Sequence, residues 1–177
     1  MILKMLMNGF RKLGVVFMNS VLLDTSFCIR LMKDTDDLHS HAVNYWEYFI
    51  RNKIEMYLSS IVIAEYSVKA DPNLLPLKTM RILTFDYFDG KKAGEFHSAI
   101  LENRDNLLGM ERAAVKDDCK LIAQMHNKKI DAFVSSDNKV ISKIYKPIES
   151  KLILNLGFID FTKPLSEISG QFEFPVD

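Results

Sequence analysis

The chain has 177 residues, room for one ordinary domain whose core needs neither disulfides nor a structural metal. Apolar residues make up 48% and charged residues 26%, the profile of a globular protein rather than a disordered one. Lys plus Arg count 23 and Asp plus Glu count 23, so the net charge is zero, which argues against a surface that grips duplex DNA by positive charge alone.

The opening stretch MILKMLMNGFRKLGVVFMNS scatters Lys4, Arg11 and Lys12 among short apolar patches. It lacks the order of a signal peptide, in which charge precedes an unbroken apolar run and small residues close a cleavage site. Residues 1–19 read as a loosely attached extension, with Met18 a plausible native start. No apolar run approaches the roughly 18 residues that span a bilayer. Cys28 and Cys119 have no repeated spacing and suit buried or free thiols in a reducing cytosol.

Residues 20–24 form a continuous apolar run ending in Asp24, the pattern of a buried parallel strand. Ala42, Tyr45, Trp46, Phe49 and Ile50 fall at helical spacing and predict an amphipathic helix over 39–53. A second strand is expected over 54–58. Ser59 and Ser60 then cap a helix from about 61 to 70, stopped by Asp71-Pro72. Residues 71–78 connect to 82–85, a short strand or the lead into a helix over 91–101. A polar loop over 102–106 precedes a helix over 117–127. A third strong strand covers 132–135, a helix 140–145, and a last strand 152–154. Alternating strands and helices predict a three-layer α/β/α sandwich with a mainly parallel sheet and right-handed crossovers. The domain is expected over 20–160, with a tail over 161–177. Active sites in such sheets form at the carboxyl ends of the strands.

Four carboxylates sit where solvation alone does not place them. Asp24 ends the first strand, and Glu65 shares a helical face with Ile61, Val62 and Val68. Asp118 precedes Leu121, Ile122 and Met125 on a core-facing stripe, and Asp137 follows the third strand. Gathered at one end of a sheet, four acids repel one another and resist ionisation. A hard divalent cation with oxygen ligands relieves this, and it can activate water and stabilise charge on a phosphodiester. Singly, each has a plainer reading: Asp24 starting a turn, Asp118 capping a helix, Asp137 forming an Asx turn with Asn138.

The order Leu23-Asp24-Thr25-Ser26, Ile63-Ala64-Glu65, Asp118-Cys119-Lys120-Leu121-Ile122-Ala123 and Ser135-Ser136-Asp137 resembles the PIN domain family of metal-dependent ribonucleases, which includes the VapC toxins. The resemblance spans roughly residues 20–156. It implies Asp24, Glu65, Asp118 and Asp137 as an acidic cluster for Mg²⁺ or Mn²⁺, with Ser26 and Ser135 orienting carboxylates or touching phosphate. Asn138 stands where family members often carry another acid or Asn, and Ser135 replaces the usual Thr. Asp117 is the alternative to Asp118, although it is better placed to cap. The stretch 74–116 is longer than in the shortest members.

Other candidates carry less. His39 and His41, two apart, do not share a helical face and suit a solvated helix start better than zinc. His97 and His126 stand alone, Cys119 has no nearby His in sequence, and no glycine-rich phosphate loop is present. The stripe Tyr45, Trp46 and Phe49 reads first as core and second as a homodimer face. Between residues 111 and 151 nine Lys or Arg face six Asp or Glu, so Lys116, Lys120, Lys139 and Lys143 are candidates to hold an RNA backbone. The expected activity is an endoribonuclease acting on single-stranded or loop RNA. It has two rivals: a toxin silenced by a cognate antitoxin, and a non-catalytic binding module that keeps the fold.

Overall fold

The computed structural model describes residues 18–101, 112–152 and 157–168. Its strands are β1 (Ser20–Leu23), β2 (Glu55–Ser59), β3 (Met80–Leu83), β4 (Ala132–Ser135) and β5 (Gly157–Asp160). They form one sheet in the order β3-β2-β1-β4-β5, every neighbouring pair parallel. Val21, Leu22 and Leu23 of the central strand are fully buried, as a continuous apolar run in a sheet covered on both faces requires. The helices are α1 (Thr25–Met32), α2 (His39–Arg51), α3 (Ser60–Ser67), α4 (Tyr87–Leu101), α5 (Arg112–Lys128), α6 (Lys146–Leu152) and α7 (Leu165–Ile168), with a π-helical stretch over Val140–Tyr145 leading into α6. The fold is the three-layer α/β/α sandwich that the sequence predicts.

Two apolar clusters hold it. The larger joins the sheet to α1, α2 and α3 through Phe27, Tyr45, Phe49 and Val62, with Leu121 and Met125 from α5. Phe27 packs edge-on against Phe161 at 5.2 Å. In the smaller, Ala93, Phe96 and Ile100 of α4 meet Val115, Cys119 and Ile122 of α5, and Ile144 and Ile148 beyond. Helix α5 therefore carries two apolar stripes, one for each cluster.

Several boundaries move. Helix α1 was not anticipated; Asp24 caps it by accepting from the Thr25 amide. Helix α5 begins at Arg112, so Asp117 lies within the helix and cannot cap it. Helix α4 begins at Tyr87, four residues before its expected start. The last strand is Gly157–Asp160, whereas Leu152 ends α6 and residues 153–154 lie outside the described residues. Ile50 and Val68, expected on buried faces, are exposed. Met18 is buried in the core and the Asn19 amide donates to Asp131 at 2.9 Å, so residues 18–19 pack with the domain rather than with the extension. Residues 161–168, expected as tail, also pack on it: Phe161 is fully buried and Tyr45 donates its hydroxyl to the Lys163 carbonyl. The loop expected over 102–106 lies outside the described residues.

Helices α2 and α5 end in the same way. The Ile54 amide donates to the Phe49 carbonyl and the Lys53 amide to that of Ile50; Ile130 and Lys129 repeat this pairing with Met125 and His126. Both are Schellman closures, with a buried isoleucine following the left-handed residue. That residue is Lys53 (φ 55°) in one and Lys129 (φ 57°) in the other, a conformation that costs a side-chain-bearing residue about 1 kcal/mol.

Strand β5 approaches β4 through Gly157, where a Cβ would stand 2.7 Å from the Asp131 carbonyl oxygen and 3.0 Å from the Ala132 Cβ. Gly157→Ala is expected to push β5 off the sheet edge and cost about 1–3 kcal/mol, measured as a lower urea midpoint with an unchanged slope.

Candidate metal centre

Strand order reverses between β1 and β4, and the crevice at their carboxyl ends is where such sheets build sites. Asp24 stands at this point. Its Oδ2 accepts from the Ser26 hydroxyl at 2.6 Å and the Ser135 hydroxyl at 2.7 Å, while Oδ1 accepts from the Thr25 amide at 2.8 Å. The same hydroxyls receive the amides behind the site: Ser136 donates to Ser26 at 3.2 Å and Asp137 to Ser135 at 3.0 Å. Two serines thus fasten the ends of β1 and β4 to one carboxylate. Glu65, in the second turn of α3, accepts from the Thr25 hydroxyl. Thr25 belongs to the Leu23-Asp24-Thr25-Ser26 segment, yet nothing in sequence spacing pairs it with a residue forty positions away.

Asp118 of α5 completes the arrangement electrostatically. Burial pushes its carboxyl up to about 8, and the charges of Asp24, Asp137, Glu65 and Asp117 push in the same direction. Glu65 is also raised, chiefly by burial; the Thr25 hydrogen bond and Lys120 oppose this, and Asp24 and Asp117 add to it. Burial is less than the sequence suggests: Asp24, Glu65 and Asp118 are partly buried and Asp137 is exposed, its Oδ1 accepting from the Lys139 amide at 2.8 Å. Asp117 pairs with Lys120 at 2.6 Å. Asn138 is exposed, and its carbonyl accepts from the Ser142 hydroxyl.

The donor set is oxygen only, which suits a hard divalent cation rather than zinc or copper. Among the described residues no three acidic, imidazole or thiol groups converge closely enough to cage an ion. Mg²⁺ does not require a cage, since it keeps several waters and takes one or two carboxylates directly. The negative charge crowded around Asp118 and Glu65 is the physical feature that a cation relieves.

The remaining candidates are structural. His39 and His41 each turn Nδ1 toward a carbonyl, of Arg30 at 2.8 Å and Phe161 at 3.2 Å, so the expected solvated helix start is a pair of staples. Cys28 and Cys119 are buried free thiols, both raised by burial first. Sequence reasoning overlooked Gln124. Fully buried, it accepts from the Ser59 hydroxyl at 2.5 Å and donates to the Thr84 carbonyl at 3.2 Å, joining α5 to the start of α3 and the end of β3. A glutamine between Ala123 and Met125 carries no periodic signal that marks it as buried.

No protein-family model matches the chain, and no curated protein matches it in sequence. Solved structures do. A chain of VapBC2 from Rickettsia felis, bound to a DNA fragment from its promoter, superposes with a TM-score of 0.53 at 20% identity, over 78% of this chain and 96% of that one. A chain of DNA-bound VapBC from Salmonella typhimurium gives 0.54 at 16% identity, over 81% and 99%. Mycobacterium tuberculosis VapC20, a sarcin-ricin-loop-cleaving toxin, gives 0.49 at 19% identity, over 67% and 90%. The chain has the PIN fold of the VapC toxins. Among the described residues no helix is long and apolar enough to cross a membrane.

The elevated Asp118 carboxyl has a measurable consequence. Its folded value, about 8, lies above the ordinary 3.8, so between these limits the folded protein holds a proton that the unfolded chain releases. Its contribution to stability is present below about pH 4 and is lost as pH rises to 8. In EDTA, Asp118→Asn should match wild type in melting temperature near pH 4 and exceed it increasingly toward pH 8. A constant difference across that range would contradict the assignment.

Proposed function

We propose that this protein is a metal-dependent endoribonuclease, with Asp24, Glu65, Asp118 and Asp137 as its Mg²⁺- or Mn²⁺-holding acids. The observation that carries the reading is the electrostatic convergence on Asp118: carboxylates from three other elements all act on one partly buried acid. Structural ion-pair networks spread opposite charges; this one gathers like charges, which is a functional arrangement with a stability cost. The PIN fold and the order of the acidic motifs support the same chemistry.

When bound, the cation supplies an activated water and stabilises charge developing on the phosphodiester. The protein's own part is orientation. Ser26 and Ser135 hold the Asp24 carboxylate in one rotamer, and Thr25 steadies Glu65. Asp118 approaches from α5 and in its ionised form would help hold the cation. Asp137 is the most exposed of the four. Lys116 and Lys139 are exposed near this end and suit backbone phosphates, whereas Lys120 is already committed to Asp117.

An antitoxin partner is part of the proposal, because two structures that share the fold, at TM-scores of 0.53 and 0.54, are VapBC assemblies on DNA. Expression of the chain should then arrest growth, and a small protein encoded beside it should relieve the arrest.

Purified protein should cleave single-stranded RNA in Mn²⁺, and Asp24→Asn should lower the rate by at least about 100-fold while keeping the fold. Equal rates in the two proteins would overturn the nuclease assignment. Ser135→Ala should leave residual activity, about 10-fold down, because it loosens Asp24 without removing it.

A further inference from the structure

Two of the four acids ride on helices rather than on strand ends: Glu65 on α3 and Asp118 on α5. Their spacing therefore depends on how these helices are held relative to one another. Val62, Leu121 and Met125 share the larger apolar cluster, but apolar contact is non-directional and leaves two helices free to slide or tilt. Among the described residues a single hydrogen bond ties α3 and its cap to α5. The Ser59 hydroxyl donates to Gln124 Oε1 at 2.5 Å, and both residues are fully buried.

Each end of that bond is anchored. Ser59 is the N-cap of α3, its oxygen accepting from the Ile61 amide at 3.0 Å. Gln124 Nε2 donates to the Thr84 carbonyl at 3.2 Å and to Asp89 at 3.5 Å. Asp89, fully buried, is held in turn by Asn127 at 2.9 Å and by the Asp86 amide at 3.2 Å. The acceptor and both donors of the Gln124 amide are thus engaged, and a buried polar network satisfied in this way specifies one arrangement.

The bond also has a symmetrical relation to the acids. Glu65 lies six residues beyond Ser59, and Asp118 lies six residues before Gln124. Each acid stands about 9 Å along its helix from the same point. A tilt of about 10° there displaces a carboxylate by about 1.6 Å, well beyond the roughly 0.5 Å within which a functional constellation must be held.

We propose that Gln124 is a positioning residue of the metal centre: through Ser59 it sets the spacing of Glu65 and Asp118, and with it the affinity for the divalent cation. The inference rests on the reading of these acids as metal ligands; the bond between the helices stands apart from it.

Calorimetric titration with Mn²⁺ tests this, with Asp24→Asn identifying the heat that belongs to the acids. Gln124→Met keeps the length of the side chain and removes its donors and acceptor; it should raise Kd about 10-fold or more. Ser59→Ala should do the same, and Ser59→Thr, which keeps the hydroxyl, should stay within twofold of wild type. Ser59→Ala/Gln124→Met should bind within twofold of the weaker single variant, because both changes remove one bond. Asp89→Asn separates positioning from loss of stability. It should lower the melting temperature in EDTA by disturbing the bonds to Asn127 and the Asp86 amide, yet leave Kd within twofold, because the Ser59–Gln124 bond remains. A Kd within twofold of wild type in both Gln124→Met and Ser59→Ala would overturn the inference. Equal weakening in Asp89→Asn would also overturn it, since the effect would then be general loosening. Absence of Mn²⁺ binding by wild type would overturn the metal-centre reading and this inference together, whereas Mn²⁺ binding without RNA cleavage would overturn the nuclease reading alone.

Discussion

One carboxylate organises the carboxyl end of this sheet. The Asp24 amide continues the β1–β4 ladder by donating to Val134 at 3.1 Å. Its Oδ1 starts α1 and its Oδ2 gathers the Ser26 and Ser135 hydroxyls. Strand direction, helix start and strand-to-strand closure therefore meet in one side chain. Removing it would leave two hydroxyls and an amide without their acceptor, each a cost of about 1 kcal/mol or more. The side chain that holds the crevice together is also one of the charges that keep Asp118 protonated. Structure and chemistry draw on the same two oxygens.

Much of this was legible in the sequence because parallel sheets write themselves plainly. The runs Val21–Leu23 and Ala132–Val134, ahead of Asp24 and Asp137, are apolar, as strands buried on both faces must be, and Ala42, Tyr45 and Phe49 repeat with helical spacing. The acidic residues stood out because they follow those runs. Helix α1 was hidden for a related reason: Phe27, Cys28 and Leu31 follow a strand with one residue between, and Asp24-Thr25-Ser26 draws attention as a motif before it is read as a cap. The last strand was misplaced because Leu152-Ile153-Leu154 is more apolar than Gly157–Asp160, where a glycine is needed for close approach to the Asp131 main chain. The depth of the acids was overestimated, since helical register fixes a direction and not the distance to the surface.

Other contacts lie beyond any local pattern. Thr25 meets Glu65 across forty residues and Ser59 meets Gln124 across sixty-five. Such pairs exist only after β1, β2 and α5 have docked, and no periodicity announces them. The neutral total charge hides another arrangement of the same kind. Acids collect where the strands end, and lysines close the helices that lead back to where strands begin. One helix, α5, carries Asp118 toward its first half and Lys128 at its last residue, so the separation of charge runs along a single element.

The position of β1 also bears on when the molecule becomes competent. Among the described residues it is the first strand, and it is the middle strand of the sheet, yet the hydroxyl that completes its terminal carboxylate comes from a residue 111 positions later. Contacts of such long sequence separation form late, because the loop they close must first be brought together. During synthesis, Val21, Leu22 and Leu23 leave the ribosome long before β4 exists to cover them. The acidic crevice cannot assemble until the chain has passed Asp137. In a protein built this way the crevice takes shape only after residues up to Asp137 have left the ribosome.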